Sequence, residues 1–461
     1  MVRIFKLLPA LLAPFLLVPL LAISAPAAAA DPDMPAIPDL RTQASVRDAI
    51  LSARLDTVVP KLMRKHGVDM WILVAREYNE DPVVKSMLPA TWMSARRRTV
   101  LIFQDRGPDA GVDRLAVARY QVGDFTPAWN PEEQKDQWAR IGEIVRERDP
   151  KTIAINISDE FALADGLSVS QHRQLIAALG PDYASRLVSH DGLALGWLET
   201  RIPAEMALYR TIMRAAHALI PMGFSEKVIT PGVTSTQDVV WWYRERLADL
   251  RLDPWCQPTV SIQRAEVPTF SIAGMAAPNR SSGPQIIAHG DLLHVDFCTG
   301  TLGLKTDTQQ MAYVLKAGET KAPAGLTAGL HAANRVQDAV TSSFATGITG
   351  NQLLAAAREK ALAAGLDPLI YTHPIGIHGH GAGPWIGAWE DQSGVPGLGD
   401  YPVGADTAWS IELASFHTVP EWNNQKARFM LEVDAFFDGS TVRYIDGRQT
   451  ELLLIPRNPQ P

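Results

Sequence analysis

Asp296, Asp307, His373, Glu412 and Glu432, all in the second half of the chain, are the residues whose types and placing could do chemistry together. The segment GDLLHVDFCTGTLGLKTDTQQMAYVL reads as two strands joined by a short turn, with Asp296 and Asp307 eleven residues apart. Side chains alternate faces along a strand, so Asp296 and Asp307 can point into one pocket from neighbouring strands. Glu412 in WSIELA and Glu432 in FMLEVDAFF are carboxylates inside apolar strand runs. Carboxylates buried together repel one another and lose hydration unless cations compensate them. Four carboxylates and one imidazole therefore imply bound divalent metal, and this many charges imply two ions. Oxygen-rich coordination with one nitrogen suits Mn²⁺, Co²⁺, Zn²⁺ or Fe²⁺, whereas a structural zinc site would use cysteines. His378 and His380 share the Gly-rich loop of His373, and chemistry alone does not choose the ligand among the three.

Two kinds of element must position these groups. The stretch Val46 to His66 has apolar residues at helical spacing and stops at Gly67. Strand-like runs follow at Met70 to Val74, Thr99 to Phe103, Arg114 to Tyr120 and Thr152 to Ile157, with helical patterns at Glu132 to Arg148 and Ser168 to Leu179. This alternation predicts an α/β domain over residues 31–198, ending in a boundary stretch from Ser189 to Pro203. Beyond it, a helix starts at Pro203, and a second follows the GVTSTQD turn with a Ser or Thr cap. Strands are predicted at Thr259 to Gln263, Asp291 to Cys298 and Met311 to Lys316, and helices at Gly325 to Phe344 and Asn351 to Ala364. The His-rich loop comes next, then strands at Trp409 to Leu413, Phe429 to Phe437 and Thr450 to Ile455. Residues 199–461 thus read as an α+β domain, with helices on a largely antiparallel sheet.

Composition narrows the classes. A chain of 461 residues is too long for one ordinary core. Its formal net charge of -7 argues against a general nucleic-acid surface. Residues 1–30 read as a signal peptide, with Arg3 and Lys6 before an apolar run from Leu7 to Ile23 and an A-x-A site ending at Ala30. Export to the periplasm or beyond follows, with no stable membrane span after cleavage. Cys256 and Cys298 lack CxxC spacing; an oxidising compartment permits a disulfide between them, and two separate thiols fit as well.

At these motifs the chain resembles the creatinase, prolidase, aminopeptidase P and methionine aminopeptidase family, whose fold is called the pita bread. The family pattern of Asp, Asp eleven residues on, His, Glu and Glu falls on Asp296, Asp307, His373, Glu412 and Glu432 in order. In THPIGIHGH the family's spacing selects His373 as ligand, Gly376 as the tight turn and His380 as the second histidine. The resemblance spans about Glu199 to Pro456 and implies a dinuclear peptidase. Asp296 would chelate one ion, Asp307 and Glu432 would bridge both, and His373 with Glu412 would complete the other. Two ions roughly 3.5–4 Å apart polarise a peptide carbonyl and activate the water they share. Glu412 would take the water's proton, and His380 would donate to the carbonyl oxygen or orient the substrate. The resemblance further implies short peptide substrates, cleavage at an amino-terminal Xaa-Pro bond, and a homodimer.

The chain departs from that pattern in three places. Where the family carries a histidine about seventeen residues before the first aspartate, this chain has Pro278, Asn279 and Arg280; Asn279 or Arg280 would bind substrate instead, or another residue such as His289 would serve. After the second aspartate the family often has Thr-Arg, and here Thr308 is followed by Gln309 and Gln310. The arginine usual two residues before the last glutamate is replaced by Met430, with Arg428 two positions further back. His378 has no family counterpart, which makes it a substrate-pocket residue or a solvent-facing one. Two other readings stand beside the peptidase: a hydrolase of another C–N bond, as in creatinase, and a non-catalytic binding protein on a peptidase fold.

Overall fold

The computed structural model describes residues 34–267 and 283–457. The signal-peptide reading at residues 1–30 and the substrate-binding reading of Asn279 and Arg280 lie outside these residues. Helix α1 (Leu40–His66) begins earlier than its apolar spacing predicts, because Asp39 caps it by accepting from the Thr42 backbone N–H. It ends at Gly67, which takes the left-handed conformation open to glycine.

Six strands form the first sheet: β1 (Met70–Arg76), β2 (Arg98–Asp105), β3 (Val112–Val117), β4 (Thr126–Pro127), β5 (Ile153–Ile155) and β6 (Leu187–Ser189). Their order is β4-β3-β2-β1-β5-β6, with β1, β5 and β6 parallel and the β1-β2-β3 run antiparallel. Met70, Ile72 and Val74 face α3 (Gln137–Arg148) and α4 (Val169–Ala184). Trp71, Leu73 and Ala75 face α1, α2 (Pro82–Ser86) and α5 (Asp191–Glu199). Leu193, Leu195, Trp197 and Leu198 carry α5 into the core of this layer.

Arg54 of α1 joins the two halves. It donates to the Thr200 and Trp197 carbonyls and pairs at 2.7 Å with Glu205, at the start of α6 (Pro203–Gly223). Arg201 holds the other Glu205 oxygen at 2.9 Å. All three side chains are buried.

Helix α6 and α7 (Thr236–Asp249), capped by Ser235, pack on the sheet β17-β9-β8-β7. Its strands are β7 (Thr259–Gln263), β8 (Leu292–Thr301), β9 (Leu304–Val314) and, parallel to β9, a closing strand (Leu453–Ile455) that is β17 in chain order. Helices α8 (Ala324–Thr341) and α9 (Gly350–Ala363) cover two further antiparallel sheets. One runs β10 (Pro368–Ile370), β13 (Leu413–Val419), β14 (Gln425–Leu431). The other runs β11 (His373–Ile375), β12 (Thr407–Ser410), β15 (Asp434–Phe437), β16 (Val442–Tyr444). Among the described residues no helix is long and apolar enough to cross a membrane.

Candidate metal centre

Register explains how an eleven-residue spacing places two aspartates together. In the β8-β9 hairpin Cys298 pairs with Asp307, and Asp296 pairs with Gln309. Residues two apart share a face, so Asp296, Cys298, Asp307 and Gln309 project from one side of the hairpin. The opposite face carries Leu293, Val295 and Phe297 into the core beneath α6 and α7.

The two glutamates do not sit within continuous strands, as their apolar surroundings suggest. Glu412 falls between β12 and β13, and Glu432 between β14 and β15, where each run leaves one sheet for the other. Tyr371 and Thr372 make the same crossing between β10 and β11. The crossings are stitched together: Tyr371 N–H and the Thr372 hydroxyl donate to the Glu412 carbonyl, and Ile411 N–H donates to the Val433 carbonyl. Gln309 and Glu432 then form an isolated bridge to the hairpin. Three bends thus deliver Glu412, Glu432 and His373 to the face occupied by Asp296 and Asp307. His373 belongs to strand β11 rather than to a loop, paired with Ser410.

Atoms able to hold a metal ion cluster in three overlapping trios, each within 4.8 Å: Asp296, Cys298 and Asp307; Asp307, His373 and His380; His373, Glu412 and Glu432, with the Cys298 sulfur committed to a disulfide. His373 Nε2 lies 3.4 Å from Glu432 Oε1 and 3.7 Å from Glu412 Oε2. His373 Nε2, Asp296 Oδ1 and Asp307 Oδ1 are buried without a hydrogen-bond partner in the structure. Buried polar atoms are ordinarily paired, so orphaned atoms converging from three elements are what a cation would satisfy. The donor set, rich in carboxylate oxygen with one imidazole, suits a divalent transition ion. The residues fit a metal centre.

Electrostatics agree. Burial, then the charge of Glu432, pushes Asp296 up to about 7. Burial first, then Glu432 and Asp296, holds both Asp307 and Glu412 well above the usual carboxylate range. Asp434, two residues beyond Glu432, is raised by the same two causes; its Oδ1 accepts from the Asp307 N–H and its Oδ2 is unpartnered. Metal-free, these groups retain protons to avoid a desolvated knot of negative charge.

His380 is exposed at the cleft, its ring 4.8 Å from that of His373 and 5.2 Å from that of Trp255. Desolvation and neighbouring His373 lower its pKa. His378 is placed differently. It is not among the residues lining the cleft, and burial with the nearby Lys305 and Arg201 charges lowers its pKa to about 4. His289 turns its Nδ1 to the Leu315 carbonyl at 2.6 Å. Cys256 and Cys298 form a disulfide, with Cα atoms 5.6 Å apart, that lines the cleft beside Asp296.

A cleft of about 360 Å³ opens over these groups, walled by Trp255, Tyr371, Trp385 and Trp389, with Glu390 also lining it. Arg428 packs over Trp389 at 5.7 Å. Trp255 donates to the Thr306 carbonyl, and Gly379 approaches its indole so closely that an added Cβ would lie 2.2 Å from it. Sequence reading missed these walls and also Gln309, Ser410 and Asp434. Alternation offered a signal for two of them: Gln309 and Asp434 each stand two residues beyond a candidate ligand.

No sequence-family model and no curated protein matches the chain. Solved structures do. An X-Pro aminopeptidase from Thermotoga maritima aligns at TM-score 0.60 and 14% identity, over 86% of this chain and 99% of that one. A dipeptidase from Mycobacterium ulcerans gives 0.56 at 16%, over 88% and 98%. An Xaa-Pro dipeptidase from Bacillus anthracis gives 0.54 at 14%, over 90% and 100%. The fold of this chain is therefore the α/β domain plus pita bread that its motifs resemble.

Proposed function

We propose that this protein is an exported dinuclear metallopeptidase that cleaves short peptides at an amino-terminal Xaa-Pro bond. Residues 199–461 would be the catalytic domain, 31–198 a separate amino-terminal domain, and 1–30 a signal peptide. The observation that carries the reading is the convergence of unpartnered ligand atoms on Asp296, Asp307 and His373, beside Glu412 and Glu432, beneath an aromatic cleft. The pita-bread likeness to structures of Xaa-Pro aminopeptidase and Xaa-Pro dipeptidases supports the substrate class, and the disulfide supports an oxidising compartment.

Those five residues would hold the ions, which supply a polarised carbonyl and an activated water when bound. Glu412 lines the cleft with its side chain 13% exposed, which supports its role as the carboxylate that would take the proton of the attacking water. His380 is held against Trp255 with a lowered pKa, so it donates an N–H to the carbonyl oxygen as a neutral imidazole. Trp255, Tyr371 and Trp389 exclude water and offer flat apolar faces to a compact ring such as proline. Asn279 and Arg280 are the remaining substrate-binding candidates, and a homodimer is the proposed assembly.

Elemental analysis together with a panel of Xaa-Pro dipeptides and tripeptides tests this reading. Metal bound near two equivalents with turnover of Xaa-Pro substrates is the expected result. Metal without turnover on any Xaa-Pro, acyl-proline or simple amide substrate would leave a binding protein on this fold.

A further inference from the structure

Gln309 stands at one of the positions where the chain departs from the family pattern, and its side chain is 4% exposed. Its Nε2 donates to Glu412 Oε1 at 2.5 Å and to Glu432 Oε2 at 3.0 Å. Its Oε1 lies 2.8 Å from His294 Nε2. Metal-bound carboxylates have no proton to give, so the amide face turned toward them must be the NH₂, whose two hydrogens serve one glutamate each. The amide oxygen then accepts from His294, which fixes that imidazole as the Nε2–H tautomer. His294 Nδ1 is left to accept from the Ser261 hydroxyl, 3.4 Å away on β7.

The consequence is a choice of oxygens. With Glu412 Oε1 and Glu432 Oε2 turned to Gln309, the opposite oxygens, Glu412 Oε2 and Glu432 Oε1, are the ones facing the unpartnered His373 Nε2. The Ser410 hydroxyl donates a 2.5 Å hydrogen bond to Glu432 Oε1. Glu412 and Glu432 come from two different strand crossings, and Gln309 donates to both. One amide thus constrains both carboxylates from the β8-β9 hairpin, and Ser410 adds to the hold on Glu432.

We propose that Gln309, oriented by His294, is a positioning residue that aims the Glu412 and Glu432 carboxylates at the metal centre. The inference rests on the metal-centre reading above and deepens it, because it assigns preorganisation of two ligands to a side chain that binds no ion.

The test is Mn²⁺ affinity of the demetallated full-length protein, measured by competition with a chelating indicator, alongside the melting midpoint of each metal-free variant. Supporting groups behind metal ligands typically alter affinity 10–100-fold. Gln309→Leu keeps the shape and removes both donors, and should weaken Mn²⁺ binding about 10–100-fold. At saturating Mn²⁺ its kcat should fall while KM stays near wild type. His294→Gln retains an N–H for the Gln309 oxygen and should stay near wild-type affinity, whereas His294→Leu should follow Gln309→Leu. Should Gln309→Leu fail to fold, the two His294 variants decide: a difference between them supports the relay, and equal affinities refute it. Wild-type affinity in Gln309→Leu also refutes it. A wild-type chain that binds no Mn²⁺ is a distinct result, because it removes the metal centre itself.

Discussion

Metal uptake should release protons, in a number that the burial of the carboxylates sets. In the metal-free chain Asp296 is pushed to about 7, and Asp307 and Glu412 stand well above the usual range. At pH 6 Asp296 is about 90 % protonated, since one unit below a pKa leaves about one group in ten ionised. Cations bind the ionised forms, so loading at pH 6 should expel protons, about one of them from Asp296. At pH 8 Asp296 has already ionised and the release should drop by about one. By linkage, metal affinity should climb with pH across that interval. The sign for the metal-free fold is the reverse. Carboxyls with raised pKa favour it at low pH, and that contribution is lost as pH rises from the ordinary carboxylate range through about 7. Titration calorimetry with Mn²⁺ in buffers of differing ionisation enthalpy counts the protons. Asp296→Asn should release about one fewer than wild type at pH 6 and the same number at pH 8. Release of fewer than one proton at pH 6 would mean that the carboxylates are already ionised, and the shared desolvated pocket would be refuted.

Other perturbations follow from the same geometry. Asp307→Ala and Glu432→Ala should each abolish peptidase activity and strip bound metal, read by elemental analysis. His380→Ala should lower kcat by about 10²–10⁴ with metal content unchanged; loss of metal instead would reassign the histidines of this loop. Cys256→Ser opens a loop whose ends are 42 residues apart, and the chain-entropy relation puts the loss near 4 kcal/mol, visible as a lower urea midpoint. Glu205→Ala leaves Arg54 and Arg201 buried without their shared carboxylate. That should destabilise the fold by about 3–5 kcal/mol, measured by thermal or urea unfolding.

Much of the site was legible because strands carry a simple period. An aspartate pair eleven residues apart across a short turn lands on one face, and Asp296 and Asp307 do so through the pairing of Cys298 with Asp307. The two glutamates stood out because a carboxylate in an apolar run is costly unless compensated. What sequence hid was the bend. Nothing local announces that three successive strands leave one sheet for another at Tyr371–Thr372, Glu412 and Glu432, since each crossing is stabilised by partners far along the chain. The aromatic walls were hidden for a similar reason, as Trp255, Tyr371 and Trp389 come from segments that meet only in the folded sheet. Within the boundary stretch after Ser189, α5 is short, and its leucines and Trp197 bury it in one core with α1. His378 looked equivalent to its loop neighbours by chemistry alone, yet it does not line the cleft as His373 and His380 do.

Anomalous scattering from crystals grown with Mn²⁺ addresses the centre most directly. Two peaks should appear, coordinated between them by Asp296, Asp307, His373, Glu412 and Glu432, with Gln309 hydrogen-bonded to the glutamates and bound to neither ion. A site with no peak, or metal held elsewhere while these carboxylates stay apart from it, would contradict the metal centre and the peptidase built upon it.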